Sequence, residues 1–297
     1  LSRVLVTGGG GFLGRFALAA LRERGFEVHG SARRARAGVN AEAWHTADLL
    51  DQSAPAKLMR AARPSHLLHL AWVTEHPGYW TDPVNQDWIE ATRRLVQAFA
   101  DAGGERVVLA GSCAQYDWSG VEPFSEALTP RRPATVYGKA KQQAEDWLAE
   151  SGLSSATGLV FLAYGPFEEP RHLVPSVTRS LLAGEEAQTT AGEQVRDYVH
   201  VADCGGALAA LLASSVQGAV NVGTGQGARI ADVARTVARL VGREDLLQVG
   251  AVPGDDRTQV VADTARLREE VGFAPSWSLE GGLRDSVDWW RQRMRRR

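Results

Sequence analysis

The sequence predicts an α/β protein: a doubly wound parallel sheet carrying a smaller, discontinuous C-terminal lobe. Three observations predict it. Short apolar runs of β-type residues alternate with helical patterns through the first half of the chain. One run, SHLLHLA (65–71), is apolar almost throughout, as strands buried on both faces are. The glycine-rich stretch TGGGGFLG stands between the first strand and the first helix, where such sheets bind nucleotides.

In chain order, RVLVT (3–7) is the first strand, and GRFALAALRERG (14–25) has the spacing of the helix that follows the glycines. FEVHGS (26–31) and AWHTADLL (43–50) read as the second and third strands, and a helical stretch from Pro55 to Ala62 leads to SHLLHLA. WIEATRRLVQAFADAGG (88–104) is helical in spacing and ends in glycines, which stop helices by accepting left-handed backbone. RVVLAGS (106–112) is the fifth strand, and ATVYGKAKQQAEDWLAE (134–150) opens the next helix. In the second half, SATGLVFLAYGP (155–166) reads as one further core strand running into a turn. RDYVHVADCGGALAALLA (196–213) reads as a strand followed by a helix. Further helices are expected near 174–182, near 230–241 and at the C-terminus. The expected division assigns 1–162 and 197–221 to a nucleotide-binding domain, and 163–196 and 222–297 to a substrate-binding lobe.

Composition narrows the function. With 297 residues, 44% of them hydrophobic and 23% charged, the chain can fill a core of this size. Its net charge of −2 lacks the basic footprint of a nucleic-acid binder. The closing RQRMRRR follows the amphipathic LEGGLRDSVDWW and reads as cations placed at a helix C-terminus. No apolar run approaches the length of a membrane span, so no membrane partner is expected. Cys113 and Cys204 suit a reducing compartment, and the first strand, starting at Arg3, leaves no room for a leader. A soluble, cytoplasmic protein without a metal site is therefore expected.

Gly8, Gly11 and Gly14 recur at three-residue intervals. They let the backbone turn tightly and approach a pyrophosphate, with Phe12 and Leu13 beside it, while the N-terminus of the helix that follows offers free N–H groups. An NAD site places an acid at the end of the second strand to hold the ribose 2′-hydroxyl. Here Ser31 and Ala32 occupy that end, and Arg33 and Arg34 follow. Guanidinium groups suit a 2′-phosphate, so NADP(H) is expected ahead of NAD(H). Asp48, beside Leu49, is placed to accept from the adenine amino group. Leu70, Ala71 and Trp72 end the fourth strand where a cofactor would pass.

Tyr137 precedes Lys141 by four residues, so the two share a helix face. Lysine occurs only at 57, 139 and 141, so this placement is not dictated by a lysine-rich surface. A free tyrosine titrates at about 10 and needs cationic help to act as a catalyst near neutrality. Lys141 would lower that pKa and hold the nicotinamide ribose. Ser112, at the end of the fifth strand, faces the same crevice and would bind a carbonyl. Tyr137 would then donate the proton. Cys113 has no neighbouring histidine in the sequence and reads as a packed thiol.

The motifs TGGGGFLG, ADLLD, HLAW, GSCAQY, YGKAK, YGP and RDYVHVAD stand in the order and spacing of the extended short-chain dehydrogenase/reductases. NVGTG and VPGDD extend the match over essentially the full length. The chain resembles the branch of NAD(P)-dependent epimerases and dehydratases that act on nucleotide-activated sugars. That resemblance implies a Rossmann domain with a C-terminal substrate lobe, a homodimer built through a four-helix bundle, and a Ser112–Tyr137–Lys141 triad.

Departures from the family pattern bear on the reaction. Its 4,6-dehydratases carry Asp-Glu directly after the catalytic Ser or Thr, whereas this chain has Cys113 and Ala114, which argues against dehydration. The Asn that many epimerases hold two residues before the tyrosine of YGP is Leu162 here, and the usual Asn of the helix after the fourth strand is Trp88. A diphosphate clamp would rest on Arg196 and Arg257. EVHGSARR resembles the NADP-type second strand of GDP-mannose dehydratases. Net reductases draw on free NADPH, so the arginines favour a ketoreductase of a nucleotide-linked 4-keto-6-deoxy sugar. A C4 or C3/C5 epimerase and a non-catalytic NADP(H) sensor are the alternatives. The loop VTEHPGYW (73–80) is expected to overhang the sugar, offering Glu75, His76, Tyr79 and Trp80.

Overall fold

The computed structural model describes residues 2–34, 39–75, 78–120, 123–254 and 258–295. The first strand, β1 (Arg3–Thr7), has Val4, Leu5 and Val6 wholly buried. Strand residues alternate faces, so Val4 and Val6 enter one core and Leu5 another. Helix α1 (Phe12–Glu23) returns the chain to β2 (Glu27–Ala32) and β3 (Ala43–Thr46). Helix α2 (Ala54–Ala62) then crosses to β4 (His66–His69), on the other side of β1. Helix α3 (Val84–Asp101), β5 (Arg106–Ser112), α4 (Val136–Glu150) and β6 (Ser154–Val160) follow. After an excursion the chain adds α6 (Val201–Ala213) and β10 (Gly218–Val222). The resulting sheet is parallel, in the order β3-β2-β1-β4-β5-β6-β10. Strand order reverses between β1 and β4, and a crevice opens there beyond the carboxyl ends of the strands.

Helices cover both faces. On one, Leu18 and Leu21 of α1 and Leu208, Leu211 and Leu212 of α6 pack on Val4, Val6, Leu68 and Val108. On the other, Leu58 of α2, Leu95 and Phe99 of α3 and Leu148 of α4 pack on Leu5, Leu67, Val107 and Leu109. Each such apolar side chain contributes about 1.5–3 kcal/mol by leaving water.

The excursion builds a second layer. Strand β7 (Leu162–Tyr164), α5 (Leu173–Ala183), β8 (Ala187–Thr189) and β9 (Val195–His200) precede α6. Strand β11 (Gly227–Arg229), α7 (Ile230–Val241), β12 (Leu247–Val249), β13 (Gln259–Val260) and α8 (Leu279–Arg295) follow β10. Strand β9 pairs with β7, β11 and β13. Val174, Val177, Leu181, Val233, Val237, Leu283 and Val287 form the core between these helices and Tyr164 and Tyr198. The boundary expected at 197 falls inside β9.

Two expectations are corrected. The single strand read from SATGLVFLAYGP breaks at Phe161, whose N–H donates to the Val222 carbonyl at 3.0 Å. Residues 154–160 stay in the main sheet, and 162–164 pair with β9 instead. An unbroken apolar run satisfies both sheets equally, so it carries no mark of the change. Helix α3 begins at Val84 rather than Trp88, because Asp82 accepts from the Val84 N–H at 2.9 Å and starts the turn early.

Arg106, buried at the start of β5, was invisible in the sequence. Its guanidinium donates to the Leu211, Leu212 and Val216 carbonyls and to Ser154 Oγ, at 2.6–3.0 Å. It thereby satisfies the Leu212 carbonyl at the end of α6 and the Val216 carbonyl just beyond, and shares the Leu211 carbonyl with Ser214.

Candidate active site

The crevice at the ends of β1, β4 and β5 gathers most of the expected residues. Gly8 has φ +69°, and the Ala71 backbone lies so near that a Cβ would meet its nitrogen at 2.8 Å. The Gly8 carbonyl accepts from Gly11 N–H at 2.8 Å and closes the turn. Gly14 has no room for a Cβ against Gly8 and Gly9. The first turn of α1, Phe12 and Leu13 included, contains no acidic residue. This bare-backbone cradle at a helix N-terminus fits a pyrophosphate.

Ser31 is buried and its carbonyl accepts from Gly9 N–H at 3.1 Å, while Arg33 and Arg34 stand exposed just beyond β2. Asp48 is exposed and Leu49 beneath it is buried. Leu70, Ala71 and Trp72 line the crevice half-buried. Behind them lies a relay that sequence reasoning missed. His69 bonds Thr7 Oγ1 through Nδ1 at 2.6 Å and Thr92 Oγ1 through Nε2 at 3.0 Å. Burial and the nearby Lys141 ammonium hold this imidazole down to about 3, so it is neutral.

The helix bearing Tyr137 starts where it must. Thr135 caps α4 by accepting from Gly138 N–H at 3.0 Å, and Gly138 lets the helix back directly onto the Ala114 carbonyl. Tyr137 and Lys141 are both buried on one face of α4. Lys141 Nζ donates to the Ala110 carbonyl of β5 at 2.8 Å and lies 3.9 Å from the centre of the Trp72 ring. Ser112 ends β5 in a reciprocal cap: its Oγ accepts from Ala114 N–H at 3.2 Å, and Gln115 Oε1 accepts from Ser112 N–H at 2.9 Å.

Burial dominates the electrostatics. It lowers Lys141 to about 7. It raises the Tyr137 phenol above its ordinary value, against which the Ser112 hydroxyl beside it pulls back. The expected lowering of Tyr137 by Lys141 is therefore corrected: desolvation penalises both charged forms, and the ammonium is engaged with Ala110. The Cys113 thiol is pushed up to about 12 by burial and stays protonated, a packed thiol.

Aromatic rings wall the triad. Tyr79 and Trp80, in a 3-10 turn (Gly78–Trp80), stack on each other at 4.6 Å and meet the Tyr137 ring edge-on at 5.0 and 5.6 Å. Trp118 completes the wall, 6.4 Å from Trp80. Its place after β5 had no sequence signal.

The expected substrate contacts are more scattered. Arg196 is buried, lies 5.1 Å from the Trp118 ring, and donates to the Thr258 carbonyl and hydroxyl at 2.7 and 2.9 Å. Glu75 is exposed at the rim, 3.7 Å from Arg171. His76 and Arg257 lie outside the described residues. No described helix is long and apolar enough to cross a membrane.

The sequence model of the NAD dependent epimerase/dehydratase family matches residues 4–223, well over half of the chain. A UDP-glucose 4-epimerase of Streptomyces lividans is 28% identical, over 97% of this chain and 95% of its own. A dTDP-glucose 4,6-dehydratase of Xanthomonas campestris is also 28% identical, over 96% and 92%. Among solved structures, the UDP-glucose 4-epimerase of Thermus thermophilus in complex with NAD superposes with a TM-score of 0.86 at 28% identity, covering 97% of this chain and 99% of that one.

Proposed function

The chain belongs to the NAD dependent epimerase/dehydratase family, and we propose that within it the protein is an NADP(H)-dependent oxidoreductase that reduces the keto group of a nucleotide-linked 4-keto-6-deoxy sugar. The observation that carries this reading is the convergence of Ser112, Tyr137 and Lys141 beside the glycine turn. Gly8, Gly11, Phe12, Leu13 and Gly14 would cradle the pyrophosphate. Asp48 and Leu49 would meet the adenine, and Ser31, Arg33 and Arg34 the 2′-phosphate. Leu70, Ala71, Trp72, Tyr137 and Lys141 would border the nicotinamide half. When bound, the nicotinamide supplies the hydride that the carbonyl carbon needs. Tyr137, kept protonated by burial, donates its phenolic proton to the carbonyl oxygen, so that C=O becomes CH–OH. The Ser112 oxygen already accepts from Ala114, which leaves its O–H to donate to the same carbonyl oxygen. Lys141 holds the ribose and offsets the charge that develops on that oxygen.

Glu75, His76, Arg196 and Arg257 are proposed to meet the sugar and its diphosphate. Residues 1–162 and 197–221 would serve the cofactor and the remainder the sugar, in a cytoplasmic homodimer. Cys113 and Ala114, which cannot act as an acid and a base, speak against dehydration. Incubation with NADPH and a nucleotide-linked keto sugar tests the reading: steady loss of NADPH absorbance with a reduced product supports it. The second reading is epimerisation with transiently reduced cofactor. It is favoured by the similarity to UDP-glucose 4-epimerases, one of them solved with NAD, and it predicts conversion of the sugar without net NADPH loss.

A further inference from the structure

Asn85, in the first turn of α3, is completely buried, and its amide is fully employed. Oδ1 accepts from Trp72 Nε1 at 2.8 Å. Nδ2 donates to the Tyr79 and Asp82 carbonyls, both at 2.8 Å. A buried amide is costly unless partnered, and one that is partnered in three directions specifies a single arrangement of the three segments it joins. Each direction leads to the site. Trp72 is held on one side by Trp88, stacked at 5.9 Å from the same face of α3, and offers its ring to the Lys141 ammonium at 3.9 Å. The Tyr79 carbonyl anchors the turn whose rings meet Tyr137 edge-on.

We propose that Asn85 is a positioning residue of this site, fixing the Trp72 ring on which the Lys141 ammonium sits and the Tyr79–Trp80 turn that walls Tyr137. That the positioned groups are catalytic rests on the function proposed above; the positioning itself does not. Besides the Trp72 ring, the groups facing Lys141 among the described residues are the Ala110 carbonyl from β5, the neutral His69 from β4 and Tyr137 from its own helix. None of them replaces the ring if it swings away.

The scarcity of lysine makes the test direct. Protein labelled with 13C-lysine gives three ε-methylene signals, from Lys57, Lys139 and Lys141, and Lys141→Arg identifies the third. The indole ring should displace the Lys141 signal from the other two. Asn85→Ala is expected to move it toward Lys57 and Lys139. Trp72→Phe takes away the indole itself and should move the signal whatever Asn85 does. The double variant should go no further, the mark of two residues acting as one unit. Val237→Ala, a cavity in the distant helical core, should lower Tm and leave the signal in place. If the Lys141 signal stays at its wild-type position in Asn85→Ala, the proposal is overturned; should Asn85→Ala not fold, Asn85→Leu, which keeps the bulk and removes all three hydrogen bonds, decides it. Turnover that survives Tyr137→Phe would sink the proposed function while leaving these spectra as they are, so the two failures are distinct.

Discussion

Tyr137 and Lys141 stand one turn apart on the buried face of α4, yet the lysine ammonium donates to the Ala110 carbonyl at 2.8 Å and the phenol is pushed up by burial. The site keeps a proton on the tyrosine and holds its lysine near the point of losing one. That suits proton donation to the oxygen of a carbonyl as it is reduced. It also makes the lysine a cost to the fold.

The cost has a pH signature. Lys141 titrates at about 7 in the folded chain and at about 10.4 when unfolded. Between those values the unfolded chain binds a proton that the folded one does not, so stability rises with pH across the interval. Below about 7 the penalty is complete. Lys141→Met should therefore abolish activity yet stabilise the protein at pH 6 by about 1–3 kcal/mol, after the lost hydrogen bond is offset. Urea melts should show the gain shrinking towards pH 10. A destabilised variant at pH 6 would show that the ammonium is well solvated or well paired.

Tyr137→Phe removes the proton donor and leaves the ring against Tyr79 and Trp80. Turnover should fall by about 10²–10⁴-fold, with Tm nearly unchanged. Single-turnover kinetics with bound NADPH would separate this loss from any change in substrate affinity.

Arg33 and Arg34 are exposed beyond β2, so their substitution should not disturb the fold. Arg33→Ala and Arg34→Ala should each weaken NADPH binding about tenfold, as the loss of one charge-assisted contact does. NADH binding should barely change. Calorimetric titration of both cofactors checks this, and equal effects on the two would remove the argument for a 2′-phosphate site.

Arg106→Met should cost about 2–4 kcal/mol, because it leaves the Leu212 and Val216 carbonyls without their buried donor, while Leu211 keeps Ser214. Denaturant midpoints would measure it, and the fifth strand next to α6 should lose amide-exchange protection first.

The parts of this molecule that could be read from the sequence are those in which one residue type has one physical use. Glycines between strand and helix, an apolar run flanked by turns, and a tyrosine four residues before a lysine each point to one local geometry. Contacts between segments were not readable. Nothing in the segment after Phe161 marks its departure to another sheet, because a buried strand looks alike in either. Asn85 looks like any polar residue at a helix start until Trp72 and Tyr79 are seen to converge on it. Arg196 could be expected at the site, but not that its guanidinium would be engaged by Thr258. The interaction expected between Lys141 and Tyr137 failed for a related reason: helix spacing gives proximity, while burial, which sets the pKa of both, depends on the whole fold.

In the proposed reaction Tyr137 gives its proton to a carbonyl oxygen during net reduction at the expense of NADPH. NADPH absorbance and sugar product, followed together with a nucleotide-linked keto sugar in the wild type and Tyr137→Phe, check this. The wild type should consume one NADPH for each reduced sugar formed, and the variant almost none. Sugar converted with no net consumption of NADPH, or a variant as active as the wild type, would contradict it.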